Sequence, residues 1–124
     1  MLRGRAGAPA RSAMVSQPHS TPMNVLGRTA DGGAIVKVHG NDLGDTAKPG
    51  SHLVLKEAHM LIGGALYLFS NGTIDMYRRV RWVDAETVEL ASERDSDDTI
   101  RLRWPDDEGQ WKVLARVDRV LKPL

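Results

Sequence analysis

The dipeptide Asn71-Gly72 separates the apolar run Ala65–Ser70 from the alternating run Thr73–Val83. Asn-Gly is the pair best able to take positive φ at both central positions of a tight hairpin, and that turn matches the twist of two antiparallel strands. The pair therefore predicts an antiparallel hairpin in the middle of the chain. A period of two puts Ile74, Met76, Arg78, Val80 and Trp82 on one face of the return strand. Asp75, Tyr77, Arg79 and Arg81 fall on the other.

The flanking sequence has the same texture of short runs broken by turn residues. Strands are predicted over Asn24–Ala30, Ala34–His39, His52–Glu57, Thr87–Ala91, Thr99–Trp104 and Gln110–Leu121. The turns between them carry Gly32-Gly33, Gly63-Gly64, the acidic stretch 93–98 and Pro105–Gly109. The last run is expected to be bent or bulged, because Val113, Ala115 and Val117 share a parity that excludes Leu114 and Leu121. No segment holds a helical period over three turns. The expected fold is mostly β, about eight short strands forming a small partly open barrel or two packed antiparallel sheets.

Two segments differ in composition. Residues 1–23 are rich in Gly, Ala, Pro, Ser and Arg, with no acid, and are expected to be a flexible basic tail or linker. Residues 24–124 are expected to be one domain. Net charge is +1, but the three arginines of the tail leave 14 basic against 16 acidic residues in the remainder. That balance gives the domain no footprint for a nucleic-acid backbone, so direct contact is expected only through the tail. There is no cysteine, which excludes disulfides and thiolate chemistry and fits a reducing, cytoplasmic setting. No apolar run approaches the roughly 20 residues of a membrane-spanning helix.

The stretch with most chemical information is Val38-His39-Gly40-Asn41-Asp42-Leu43-Gly44-Asp45-Thr46-Ala47-Lys48-Pro49-Gly50-Ser51-His52-Leu53-Val54-Leu55. It resembles the nucleophile segment of self-cleaving LexA-like and phage-repressor C-terminal domains, whose fold is shared with signal peptidases. Gly40, Thr46 and Gly50 fall in register with that motif, Leu43 stands for its methionine, and Lys48-Pro49-Gly50 matches the approach to its second turn. The hairpin Gly63–Phe69, the segment Tyr77-Arg78-Arg79-Val80 and the closing run Lys112–Leu121 are similar to the later signatures, so the resemblance covers about residues 33–121.

In that family a neutral lysine takes the proton of a serine, which then attacks a peptide carbonyl. The resemblance puts Asp42 in the place of the serine and Arg78 in the place of the lysine. A carboxylate has no hydroxyl, and a guanidinium does not give up its proton in a protein. The resemblance thus implies a degenerate dyad and no catalysis. Opposite charges at the two positions predict an ion pair between Asp42 and Arg78, with their charged groups within about 6 Å. The alternative for Asp42 is a turn aspartate that accepts from backbone N–H groups. Ser51 is the alternative nucleophile, though a serine after Pro-Gly is ordinarily a turn residue.

Other groups are less specific. His39, His52 and His59 match no metal-ligand spacing, and neither a metal nor a cofactor is expected. Asp95, Asp97 and Asp98 lack the glycine and terminal glutamate of a calcium loop. Arg79, Arg81, Arg101 and Arg103, with Trp111, form a possible interaction surface, weighed against strand faces paired with nearby acids. Trp82, Trp104 and Trp111 are expected in the core or at a dimer face. The leading expectation is a non-catalytic LexA-like domain used for dimerisation or protein–protein interaction in transcriptional regulation. Its partner would be a second copy or a repressor-like protein, and the resemblance implies contact through sheet edges near the C-terminus. The alternatives are a small β-barrel subunit of a larger particle, and a self-cleaving serine peptidase with another nucleophile.

Overall fold

The computed structural model describes residues 25–121, so the expected tail at 1–23 lies outside the described residues. The chain is mostly β, with eight antiparallel strands in one open sheet. They are β1 (Val25–Arg28), β2 (Ala34–Lys37), β3 (His52–Lys56), β4 (Leu66–Ser70), β5 (Asp75–Trp82), β6 (Thr87–Ala91), β7 (Thr99–Arg103) and β8 (Lys112–Leu121). One short 3-10 turn, Asp106–Gly109, precedes β8.

The spatial order is β1-β2-β3-β8-β4-β5-β6-β7. Two meanders, β1–β3 and β4–β7, are therefore joined through the last strand. Arg116 stands opposite Lys56 on one side of β8 and opposite Tyr67 on the other. The sheet edges are β1 and β7, and the C-terminal strand is central rather than at an edge. Its far half is nonetheless paired on one side only. β4 pairs with Lys112–Arg116 and β3 with Arg116–Leu121, so among the described residues no strand is paired with Val117–Leu121 on the β4 side.

The sheet has two cores, one on each face. Leu66 and Leu68 of β4 join Val36, Leu53, Leu55 and Ala115 in the first. Tyr67 and Phe69 of the same strand join Val80, Val88, Leu90, Leu102, Trp104 and Val113 in the second. β4 is buried on both faces, which is why its sequence is a continuous apolar run rather than an alternating one.

β8 changes face by bulging. Leu68 stands opposite Ala115 and Phe69 opposite Val113, which leaves Leu114 without a partner across the ladder. The extra residue inverts the alternation. Val113 and Ala115, expected on one face, lie on opposite faces of the sheet, and Leu114 packs against the same core as Ala115. A second extra residue, Asp118, lies between Val117 and Arg119.

The central hairpin also differs in detail. The turn bond runs from Asn71 N–H to Ile74 O at 3.2 Å, so Gly72-Thr73 is the central pair, with Gly72 at φ 93°. Asn71 contributes from outside the pair, its Oδ1 accepting from the N–H groups of Thr73 and Ile74, both at 2.9 Å. The Asx-type bonding offers Asn71 a better role than a left-handed φ.

The β1–β2 turn lies close against β3. A Cβ on Gly33 would fall 2.6 Å from Val54 Cγ1 and 2.9 Å from Thr29 Oγ1, and Val54 has no exposed surface. Gly33→Ala is expected to lower stability by about 1–3 kcal/mol, the usual cost of overpacking. Gly109→Ala, where an added Cβ meets nothing, should change it little. Urea unfolding of the two variants side by side checks the difference.

Candidate functional site

The segment between β2 and β3 folds as a cover over the first core. Val38 N–H donates to Ser51 O and Gly50 N–H to Val38 O, so the loop closes like the neck of a hairpin. Gly50 has φ 94°, as the Pro-Gly turn requires. Between these ends Leu43 and Ala47 turn inward, with 0% and 1% of their surfaces exposed. Gly40, Leu43, Thr46, Pro49 and Gly50, the residues that carry the family resemblance, are thus one structural unit in which Leu43 supplies the buried anchor.

The cover is latched to the loop after β6. Glu93 accepts from Arg79 Nε at 2.9 Å and Nη2 at 2.7 Å, and from Thr46 Oγ1 at 2.6 Å. Gly44, at φ 52°, passes so close to this loop that a Cβ would lie 2.8 Å from the carbonyl oxygen of Glu93. Arg94 Nη1 donates to Asn41 Oδ1 at 3.2 Å. Thr46 and Glu93 are 47 residues apart, and no short-range pattern could have connected them.

Asp42 does not meet Arg78. Its Oδ2 lies 3.4 Å from the backbone N of Tyr77, a long bond from a strand N–H. Arg78 projects from the opposite face of β5, where it is 5% exposed at the margin of the second core. Its Nη2 donates to Asp98 Oδ2 at 3.0 Å, and its Nη1 to the carbonyl oxygens of Asp98 at 2.8 Å and Leu90 at 3.4 Å. Its Nε is buried without a partner. The expected Asp42–Arg78 ion pair is therefore corrected to an Arg78–Asp98 pair. The reason is strand alternation: successive residues face opposite ways, and the position turned towards Asp42 is Tyr77. The Arg78 guanidinium holds the Asp98 carboxyl below its ordinary range.

Asp42 and Tyr77 line a shallow cleft of about 270 Å³ with Val36, Val38, Leu43 and Leu68 beneath it and Lys37, His39 and Asp75 around it. Burial, and then the nearby Asp42 and Asp75 carboxylates, push the Tyr77 phenol up to about 12. Tyr77 is accordingly neutral at physiological pH, an apolar wall with a hydroxyl rather than a base. Ser51 is 2% exposed and its backbone is tied to Val38 and Lys48. Access to an attacking hydroxyl is closed there.

The arginines proposed as an interaction surface all face acids. Arg79 pairs with Glu93, Arg81 and Arg101 share Glu89, and Arg103 pairs with Glu86. Cross-strand register explains the shared pair, since Glu89 stands between Arg81 of β5 and Arg101 of β7. Trp104 is buried in the second core, and Trp82 and Trp111 pack at its margin. Trp82 Nε1 donates to Leu61 O at 3.1 Å, which pins the β3–β4 crossover. Comparison with protein-family models, with curated proteins and with solved structures finds no match to the chain.

The latch has a pH signature. The hydrogen bond from Arg79 holds the Glu93 carboxyl below its ordinary value, against desolvation and with help from Thr46. A carboxyl lowered in the folded state stabilises fully above its unfolded value, about 4.3, and loses that contribution as pH falls towards the folded value. Glu93→Gln should cost about 1–2 kcal/mol at pH 7. The gap between variant and parent should narrow as pH falls below about 4. Urea unfolding at the two pH values checks this, and a gap independent of pH would remove the carboxylate from the explanation.

Proposed function

We propose that this chain is a non-catalytic domain of the LexA and phage-repressor type, retained for self-association or binding of a repressor-like protein in transcriptional regulation. The observation that carries the reading is the half-paired C-terminal strand. Val117–Leu121 pairs with β3 on one side and, among the described residues, with no strand on the other, and Leu121 is 40% exposed. An unpaired strand edge is a template for a second antiparallel strand, and a two-fold axis through it would pair like with like.

Support for the absence of catalysis comes from the cleft under residues 40–50. The side chain where the resemblance expects a nucleophile is a carboxylate, and it faces the main chain of Tyr77 rather than an amine. Ser51, the alternative nucleophile, is enclosed.

Sedimentation equilibrium, combined with hydrogen exchange, tests the association. A dimer is expected, with amides of Val117–Leu121 that become protected as concentration rises. Leu121→Asp should weaken it at least tenfold, about 1.4 kcal/mol. A monomer at high concentration with unprotected edge amides would reject the reading. Incubation at alkaline pH should leave the chain intact. A fragment that disappears in Ser51→Ala would instead identify a self-cleaving peptidase.

A further inference from the structure

A second and larger cleft, of about 720 Å³, lies along the far end of β5, with Arg79–Asp84 between Ile62–Gly64 on one side and Ala91–Glu93 on the other. β5 runs on here past the start of β4. Their ladder begins with Leu66 opposite Arg79. One further step of pairing remains, in which Val80 N–H donates to Ala65 O at 2.9 Å and Gly64 N–H to Val80 O at 2.8 Å. The chain then turns away at Gly63-Gly64, closed by a bond from Ala65 N–H to Ile62 O.

Alternation decides where the next backbone groups point. Val83 N–H donates to Thr87 O on the β6 side, whereas the bonds of Val80 face β4. Alternation turns the N–H and C=O of Trp82, two residues beyond Val80, the same way as those of Val80, and among the described residues no strand is paired with Trp82 on that side. Ile62 and Val83 flank this edge and are 44% and 49% exposed. A short unpaired edge between two exposed apolar side chains is the arrangement to which an extended peptide adds as a strand.

The charge around the cleft narrows the choice of peptide. Glu89 is shared by Arg81 and Arg101, and its side chain is only 13% exposed while the arginine side chains are 62% and 64% exposed. The acid is inside, the cations are outside, and the trio carries one uncompensated positive charge. Arg79 and Glu93 repeat the inside-out arrangement on the cleft wall. Asp84, also at the rim, is turned back to accept from the N–H groups of Glu86 and Thr87.

We propose that this edge of β5 binds an extended segment of a partner protein as an additional strand, with apolar and acidic residues alternating along it. The segment's main chain would pair with Trp82, its apolar side chains would cover Ile62 and Val83, and its carboxylates would meet Arg81. The site is distinct from the β8 edge, so self-association and peptide binding can succeed or fail separately.

The test uses the full chain, isotope-labelled, and a capped peptide of alternating valine and glutamate. Saturable shifts centred on Trp82 and Val83 are expected, with at least tenfold slower exchange of the Trp82 amide. Ile62→Asp and Arg81→Gln, both exposed changes, should each weaken binding at least fivefold while leaving thermal unfolding in place. A peptide N-methylated along its backbone should not bind, and a valine–lysine peptide should bind at least tenfold more weakly. No saturable binding, or shifts that map to the Asp42 cleft, would overturn the proposal. So would equal binding of the N-methylated or the lysine peptide, or displacement of the peptide by an equal concentration of inorganic phosphate.

Discussion

The architecture depends on one unpartnered residue in β8. If Leu114 took an ordinary place in the ladder, strict alternation would put Val113 and Ala115 on one face. The bulge lets β8 give Val113 to the core shared with β5, β6 and β7, and Ala115 to the core shared with β2 and β3. β4 needs no such device, because its first four residues, Leu66 to Phe69, are all buried and serve both faces. These two central strands allow a single thin sheet to bury side chains on both sides.

The cover over the first core depends in turn on Glu93. One carboxylate receives Arg79 from β5 and Thr46 from the segment between β2 and β3, and thereby joins parts of the two meanders. The pair Arg78–Asp98 does similar service on the other face, closing the loop between β6 and β7 onto the end of the second core. Two adjacent arginines on one strand thus tie the same loop from opposite sides. The buried, unpartnered Nε of Arg78 is a cost of that arrangement, since a buried donor without an acceptor loses its hydration with nothing in exchange.

Much of the fold was legible because it rests on local rules. Asn71-Gly72 marked the hairpin, and the alternation of Met76, Arg78, Val80 and Trp82 placed them together on the core side of β5. Pro49-Gly50 marked the turn into β3. What escaped was non-local. The parity of Val113 and Ala115 was readable but the exact position of the bulge was not, since either neighbour could have been the extra residue. The partner of Arg78 was misassigned because charge complementarity says nothing about which face a side chain occupies. Asp98 sits in an acidic loop that reads as solvated, and nothing within it announces that one of its carboxylates closes on a buried guanidinium. Gly40, Leu43, Thr46, Pro49 and Gly50 all fall in the segment between β2 and β3, and the β5 residue that meets Asp42 is Tyr77 rather than Arg78.

The place of β8 between the meanders has a consequence for the order of assembly. β1–β3 and β4–β7 are each built from neighbours in sequence, so each can begin to form as soon as it leaves the ribosome. Neither can complete its core alone, because the strand between them follows both in sequence. Pairing of β8 with β3 joins residues such as Leu53 and Val120 across most of the domain, the kind of closure that slows folding. Until it happens, β3 and β4 each present an apolar edge to the surroundings. The emerging chain is thus at its most adhesive just before β8 pairs, and this ten-residue strand acts as the closing stitch that removes both edges at once.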